Sequence, residues 1–156
     1  MYGGSQEQGI RSGTLATHQI VGMGAAFTLS ESLRLSEQAR ILDLRNALWK
    51  DLQTIEGVVC NGCIDKRVAG NLNVSFERID GAELLTSVYP LALSSMTACA
   101  ANSHQPSYVL RALGVDVHLA KSTLRISIGR FSTQAQMSTA FHIIREAISG
   151  LRRHRL

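Results

Sequence analysis

The stretch NLNVSFE, residues 71–77, decides the class of fold because its side chains alternate in character. Its apolar positions are Leu72, Val74 and Phe76, and its polar positions are Asn71, Asn73 and Ser75. An alternation of period two is typical of a β-strand with one buried face. The stretch TLRISIGRF at 123–131 repeats the pattern, and the short runs VVCNG at 58–62 and LALSS at 91–95 are also predicted to be strands.

Helical patterns surround these strands. Apolar residues recur at spacings of three and four over 17–57, with a predicted break within 30–36. Shorter helices are predicted over 80–90, where a proline ends the pattern, and over PSYVLRALG at 106–114. An amphipathic helix is predicted over 133–155. Strands combined with packed helices predict an α+β domain.

Composition and charge limit the classes of function. The 156 residues are 45% apolar and 18% charged, which is typical of a globular protein. The net charge of +4 is scattered except in the final LRRHRL, and aromatic residues are few, so we expect no nucleic-acid partner. No run of 18 apolar residues is present, and the N-terminus lacks the apolar core of a signal peptide. We therefore expect a cytoplasmic protein without membrane contact, and the three cysteines fit a reducing compartment.

The stretch SSMTACAANSHQPSYVLRALG, residues 94–114, places Cys99 among small and polar residues ahead of a predicted helix. A reactive cysteine must be an accessible thiolate, and a loop of small residues allows it to reach a substrate and then an acceptor. Free cysteines are more often small core residues. From the residues alone, both interpretations of Cys99 stay open.

Two other segments carry candidate binding residues. Arg125, in the predicted strand 123–131, has a planar guanidinium that can bind a carboxylate through two parallel hydrogen bonds. The segment RSGT at 11–14 combines glycine, the charge of Arg11 and the hydroxyl of Thr14, which together can cradle a phosphate. The alternatives are a solvated strand arginine and an ordinary loop.

The remaining cysteines form the segment Cys60-Asn-Gly-Cys63, whose spacing is that of zinc and dithiol sites. A structural zinc needs four ligands, and the sequence has no second such pair. We therefore predict no metal site. The Asn-Gly pair is predicted to form a tight turn between two strands.

Four motifs in order resemble the C-terminal part of cysteine desulfurases, the iron–sulfur assembly branch of the class-V aminotransferase-like enzymes. They are EQGIRSGTLATHQIVGMGAAF at 7–27, GNLNVSF at 70–76, SS-x-x-AC-x-x-x-S followed by PSYVLRALG at 94–114, and STLRISIGRFST at 122–133. The residues before Ala98 and Cys99 are Met96 and Thr97, where relatives often have glycine and a small residue. The resemblance covers almost the whole chain.

The resemblance implies an α/β enzyme of fold type I, of which this chain is the C-terminal α+β small domain with a short remnant of the large domain. It implies that the enzyme uses pyridoxal phosphate (PLP) and converts L-cysteine to L-alanine, leaving sulfur as a persulfide on Cys99. It implies that Arg125 binds the substrate carboxylate and that Thr14 lies against the PLP phosphate of the neighbouring subunit of a homodimer. It also implies a sulfur-acceptor or iron–sulfur scaffold protein as partner. Residues 1–30 correspond to a remnant of the large PLP domain, and 31–156 to the C-terminal small domain with the active-site cysteine loop.

The PLP lysine is expected outside this chain, because Lys50, Lys66 and Lys121 lack the sequence context that the family uses. We therefore expect PLP in the complete enzyme and no activity from the chain alone. The alternative function is a non-enzymatic dimerisation or persulfide-relay module. A selenocysteine lyase or a decarboxylating class-V enzyme fits the motifs less well.

Overall fold

A computed structural model of the chain describes residues 3–79, 81–94 and 107–153, without the side chain of Ala82. A 3₁₀ turn at Glu7–Gly9 precedes the first helix. In chain order, the main elements are α1 (Thr17–Leu52), β1 (Val58–Cys60), β2 (Asn71–Phe76), α2 (Gly81–Ser87), α3 (Tyr108–Ala112), α4 (Val117–Lys121), β3 (Thr123–Ser127) and α5 (Gln134–Arg153).

Among the described residues, the three strands form one antiparallel sheet in the order β1-β2-β3. Strand β2 lies in the centre, where Cys60 of β1 pairs with Val74, and Asn73 pairs with Arg125 of β3. Because side chains alternate along a strand, one face of the sheet is apolar and the other is polar. The polar face carries the site described below.

The hydrophobic core lies between the apolar face of the sheet and three helices. Many of its residues come from the second half of α1, from α2 and the residue that follows it, from α5, and from β2 and β3: Leu44, Leu48, Leu52, Leu84, Val88, Ile144, Ile148, Leu72, Val74, Phe76, Leu124 and Ile126. Arg152 of α5 donates to the carbonyl oxygens of Glu56 and Glu77, at 2.7 and 3.1 Å, which attaches the final helix to the edge of the sheet.

Two glycines permit close packing in this region. A Cβ atom on Gly70 would overlap the carbonyl oxygen of Ile128, and one on Gly81 would overlap the carbonyl oxygen of Lys121. Gly70 accepts a hydrogen bond from Ile128 N at 2.8 Å, just before β2 begins. A side chain at either position would therefore push a strand or helix away from its neighbour.

The chain divides into two compact units, Met1–Ser36 and Glu37–Leu156. In the first unit, the described residues form the 3₁₀ turn, a loop and the first part of α1, and none of these residues is buried. The buried residues of α1 begin at Leu44 and all belong to the second unit. The predicted domain boundary between residues 30 and 31 stays a prediction.

The structure confirms an α+β arrangement and corrects several local predictions. Helix α1 has no break within 30–36. Ser32 and Ser36 satisfy their hydroxyl groups within the helix, because each donates to the carbonyl three residues earlier, so neither residue has to leave it. In place of a strand at 91–95, the described residues 91–94 form turns and a single bridge between Ser94 and Arg125. Residues 61–70 separate β1 from β2, so the Asn-Gly pair does not form a two-residue hairpin. The pattern also failed to predict α4, a single turn capped by Asp116.

Candidate functional site

Arg125 lies at the centre of the polar face of the sheet. Strand β3 buries Leu124 and Ile126 in the core and leaves Arg125 between them exposed on the opposite side. The backbone of Arg125 is held on both sides, since it pairs with Asn73 in β2 and exchanges hydrogen bonds with Ser94 at 2.6 and 3.4 Å. The guanidinium therefore extends from a backbone that is fixed by two neighbours.

A cavity of about 250 Å³ opens beside Arg125. Its described lining combines polar and basic residues with a few apolar ones: Asn61, Gly62, Cys63, Lys66, Arg67, Asn71, Asn73, Ser107, Val109, Leu110, Leu113 and Arg125. None of these lining residues is acidic, so the described part of the cavity carries net positive charge. Clefts lined by charges of one sign attract ligands of the opposite sign.

Arg67 organises the loop at the rim of this cavity. Its Nη2 donates to the carbonyl oxygen of Asn61 at 2.7 Å, and its Nε donates to the carbonyl oxygen of Cys63 at 2.9 Å. Through these bonds the Arg67 guanidinium packs against residues 61–63, the segment that follows β1. Arg67 therefore fixes the loop, and its charge adds to the positive potential of the cavity.

A ladder of buried side chains connects the cavity to the interior of the sheet. Asn61 Nδ2 donates to Asn73 Oδ1 at 2.7 Å and to Ser75 Oγ at 2.8 Å. Ser75 Oγ lies 2.7 Å from Thr123 Oγ1, which donates to the carbonyl oxygen of Leu119 at 3.1 Å. Asn61, Ser75 and Thr123 are each at most 3% exposed, so the ladder is shielded from water. Asn61 Oδ1 is buried and has no hydrogen-bond partner among the residues that the structure describes.

Cys99 lies outside the described residues, as do the neighbouring positions 95–106. The described residues on either side of that segment are both found at the site, since Ser94 bridges to Arg125 and Ser107 lines the cavity. The role of Cys99 stays a prediction.

Thr14 belongs to the first unit, where it is exposed in the loop that precedes α1. Arg11 Nη1 donates to the carbonyl oxygens of Gly13 and Thr14, at 2.9 and 3.0 Å, and Gly13 N donates to Gln6 Oε1 at 3.1 Å. These contacts shape the loop and engage Arg11 with backbone oxygens. The contact of Thr14 with a phosphate stays a prediction.

The two described cysteines differ in environment. Cys60 packs against the core, and burial raises the pKa of its thiol, an effect that the guanidiniums of Arg67 and Arg45 oppose. Cys63 is exposed and lines the cavity. Within the described ranges, no group of three or more His, Cys, Asp or Glu side chains is placed to hold a metal ion.

The sequence pattern predicted Arg125 but missed its neighbours. The pattern places Asn73 only on the polar side of a strand and Asn61 only in a turn, and no motif singles out Arg67. The alternation of β2 was the available signal, because it places Asn73 on the face opposite the core.

Among the described residues, no helix is long and apolar enough to cross a membrane.

The sequence is similar to curated cysteine desulfurases. The protein named cysteine desulfurase IscS of Aeromonas hydrophila subsp. hydrophila is 49% identical over 152 residues, and that of Methylobacillus flagellatus is also 49% identical over 152 residues. In each comparison the match covers 97% of this chain and 38% of the relative. The chain therefore spans less than two fifths of the length of these relatives.

Solved structures show the same fold. A NifS-like protein superposes with a TM-score of 0.83 at 27% identity, covering 97% of this chain and 39% of that protein. DndA from Streptomyces lividans superposes with a TM-score of 0.60 at 31% identity, covering 81% and 36%. These findings confirm the resemblance to cysteine desulfurases. The aminotransferase class-V family model matches residues 3–139, and the chain therefore belongs to the class-V aminotransferase family.

Proposed function

We propose that this chain is part of a cysteine desulfurase and contributes its sulfur-accepting cysteine and its substrate clamp. The observation that carries the proposal is the exposed Arg125 on a cavity whose described lining contains other cations and no acid. The α-carboxylate of an amino acid is the kind of group that such a cavity attracts, and a guanidinium binds it with two hydrogen bonds. The relatives named cysteine desulfurase support L-cysteine as that amino acid.

The proposed reaction transfers one sulfur atom. L-cysteine and the Cys99 thiol give L-alanine and a Cys99 persulfide. The C–S bond of the substrate breaks, an S–S bond forms on Cys99, and hydrogen replaces sulfur on the β-carbon. Arg125 holds the carboxylate so that the substrate sulfur stays within reach of Cys99. An extended chain of five residues spans at most about 18 Å, so the covalent link to Ser94 limits how far Cys99 can lie from Arg125.

PLP is the cofactor implied by the family, and it supplies the electron sink for cleavage at the substrate carbons. The described residues do not fit a complete PLP site, because Lys50, Lys66 and Lys121 are all exposed. A lysine that forms a Schiff base is usually desolvated so that its pKa is low enough for reaction. We therefore assign the cofactor lysine to residues outside this chain. Thr14 is assigned a contact with the phosphate.

Assembly and partners follow from the same proposal. The described part of the first unit exposes many large apolar side chains: Ile10, Leu15, Ile20, Val21, Met23, Phe27, Leu29 and Leu35. Apolar surface of this extent is typical of an interface. We propose a cytoplasmic homodimer that passes the Cys99 sulfur to an acceptor or iron–sulfur scaffold protein.

The proposal is tested by a chimera in which this chain replaces the matching segment of the Aeromonas hydrophila relative. We expect the chimera to release sulfide and equimolar alanine from L-cysteine in the presence of PLP and a thiol reductant. The Cys99→Ser chimera should produce no persulfide and lose turnover. Cys60→Ala, at a cysteine that packs against the core and is not among the lining residues of the cavity, should retain both. The isolated chain is the third sample, and we expect no turnover from it.

Two outcomes would contradict the proposal. A folded chimera that forms no alanine would favour a non-enzymatic dimerisation or persulfide-relay module. Turnover by the isolated chain would place the cofactor lysine among Lys50, Lys66 and Lys121, and substitution of each lysine by alanine would then identify it.

A further inference from the structure

We infer that Asn73 binds the substrate carboxylate together with Arg125, and that the Asn61–Ser75–Thr123 ladder holds its amide group in the donating orientation. The inference rests on the proposed function, because it names a further ligand-binding residue in the same site. The substrate class is an α-amino acid, and the group recognised is its carboxylate.

The orientation of the ladder follows from counting hydrogen atoms. The carbonyl of Leu119 can only accept, so Thr123 uses its single hydroxyl hydrogen there. The hydrogen between Ser75 and Thr123 must then come from Ser75. Ser75 has no second hydrogen for Asn61, so the contact of 2.8 Å requires Asn61 Nδ2 to donate. The Leu119 carbonyl, at the end of this chain of bonds, therefore fixes the amide orientation of Asn61.

The same count fixes Asn73. Asn61 Nδ2 donates its second hydrogen to Asn73 Oδ1 at 2.7 Å, so the oxygen of Asn73 is directed toward Asn61. The Nδ2 group of Asn73 is on the other branch of the amide, and it donates no hydrogen bond to any of the described residues. Asn73 lines the cavity, so this NH₂ group is available to a ligand there.

Asn73 and Arg125 face the same cavity from adjacent strands. They are direct partners in the antiparallel register of β2 and β3, and such partners have Cβ atoms about 4.5–5.5 Å apart. Their side chains therefore present a guanidinium and an amide NH₂ side by side. A carboxylate has two oxygens with about four acceptor positions, enough for both groups at once.

The charges at the site favour an acid over a neutral ligand. Lys66 and Arg67 line the same cavity, and the lining that the structure describes includes neither aspartate nor glutamate. Arg67 is already bound to two backbone oxygens, which leaves Arg125 and Asn73 as the paired donors on the sheet.

The test uses the 156-residue chain and two small probes, propionate and its neutral analogue propionamide. The side-chain amide signals of Asn73 in a ¹⁵N–¹H spectrum are identified by their loss in Asn73→Asp. We expect propionate to shift these signals and propionamide to leave them in place. The amide of Asn46, exposed on α1, is the matched control and should not respond.

Variants separate binding from positioning. Arg125→Gln should abolish propionate binding, and Asn73→Ala should weaken it roughly 10-fold. Thr123→Val removes the hydroxyl that orients the ladder and should weaken binding several-fold, while Thr123→Ser keeps the hydroxyl and should restore it. Rescue by serine is not expected if Thr123 only fills space.

Unshifted Asn73 signals in a chain that binds propionate, or unchanged affinity in Asn73→Ala, would overturn the inference. No binding of propionate at any Arg125-dependent site would also overturn it. Equal affinity of Thr123→Val and Thr123→Ser for propionate would show that the ladder does not orient Asn73.

Turnover of L-cysteine by the chimera tests the proposed function separately. In the chimera, Asn73→Ala should raise KM and leave kcat nearly unchanged. An inactive chimera would count against the desulfurase assignment, and the propionate data would still decide Asn73.

Discussion

The two halves of helix α1 have the same backbone and opposite surroundings. From Thr17 to Ser36 every described side chain is at least partly exposed, including Phe27 at 71% exposure, whereas Leu48 and Leu52 further along are fully buried. Both halves are rich in apolar residues and both satisfy their backbone hydrogen bonds locally. The difference shows that helical periodicity specifies a helix without specifying what its apolar residues will contact.

The largest expected effect comes from the buried half. Leu48→Ala should lower the free energy of unfolding by about 2–5 kcal/mol, because it leaves a cavity in the core. Phe27→Ala in the exposed half should change it by less than about 0.5 kcal/mol. Urea unfolding followed through Trp49, which packs against the core, measures both. Equal losses in the two variants would mean that the first half is also packed within the isolated chain.

The next effect distinguishes two arginines of the second unit. In the chimera, Arg125→Gln should reduce kcat/KM for L-cysteine roughly 10- to 100-fold, because a charged pair with the carboxylate is lost. Arg130→Gln is the matched control, since the Arg130 side chain lies over the exposed ring of Phe131. Steady-state kinetics measures both variants. Similar losses in the two would indicate a general effect of positive charge.

A smaller effect distinguishes a buried serine from an exposed one. Ser75→Ala should destabilise the chain by about 1–3 kcal/mol, because it removes one buried hydrogen-bond partner from Asn61 and one from Thr123. Ser32→Ala in the first half of α1 removes only an exposed bond to the Leu29 carbonyl and should be close to neutral. Thermal unfolding of both variants measures the difference. A neutral Ser75→Ala would mean that water replaces the hydroxyl in the ladder.

The smallest effect concerns pH. Hydrogen bonds from the backbone N–H groups of His118 and Leu119 hold the pKa of Asp116 below its usual 3.8. A carboxyl whose pKa is lowered by folding stabilises the protein at pH values above its unfolded pKa and loses this contribution as the pH falls through the folded pKa. We expect the Tm difference between the wild-type chain and Asp116→Asn to shrink as the pH is lowered from 6 to about 3. A Tm difference that does not change with pH would show that the charge of Asp116 does not contribute to capping α4.

Local patterns predicted more of the fold than of the site. The alternation of β2 and β3 and the amphipathic α5 were confirmed, and they placed Arg125 on a strand. The predicted strand at 91–95 failed because Leu91 N donates to Val88 O in the turn that follows α2 and Leu93 N donates to Leu91 O. Among the described residues 91–94, only Ser94 bridges to β3. Short apolar runs carry little information about which partner their backbone groups will find.

The sequence by itself determined the period of β2, β3 and α5, the outward position of Arg125 and the four motifs that relate the chain to desulfurases. Tertiary structure alone decided that Asn73 lies beside Arg125 and that Asn61, Ser75 and Thr123 join in one ladder. Strand register and long-range hydrogen bonds depend on which segments meet in space, whereas periodicity depends only on neighbours along the chain. A residue pattern therefore reveals which face a side chain occupies, and only the fold reveals which other side chains share that face.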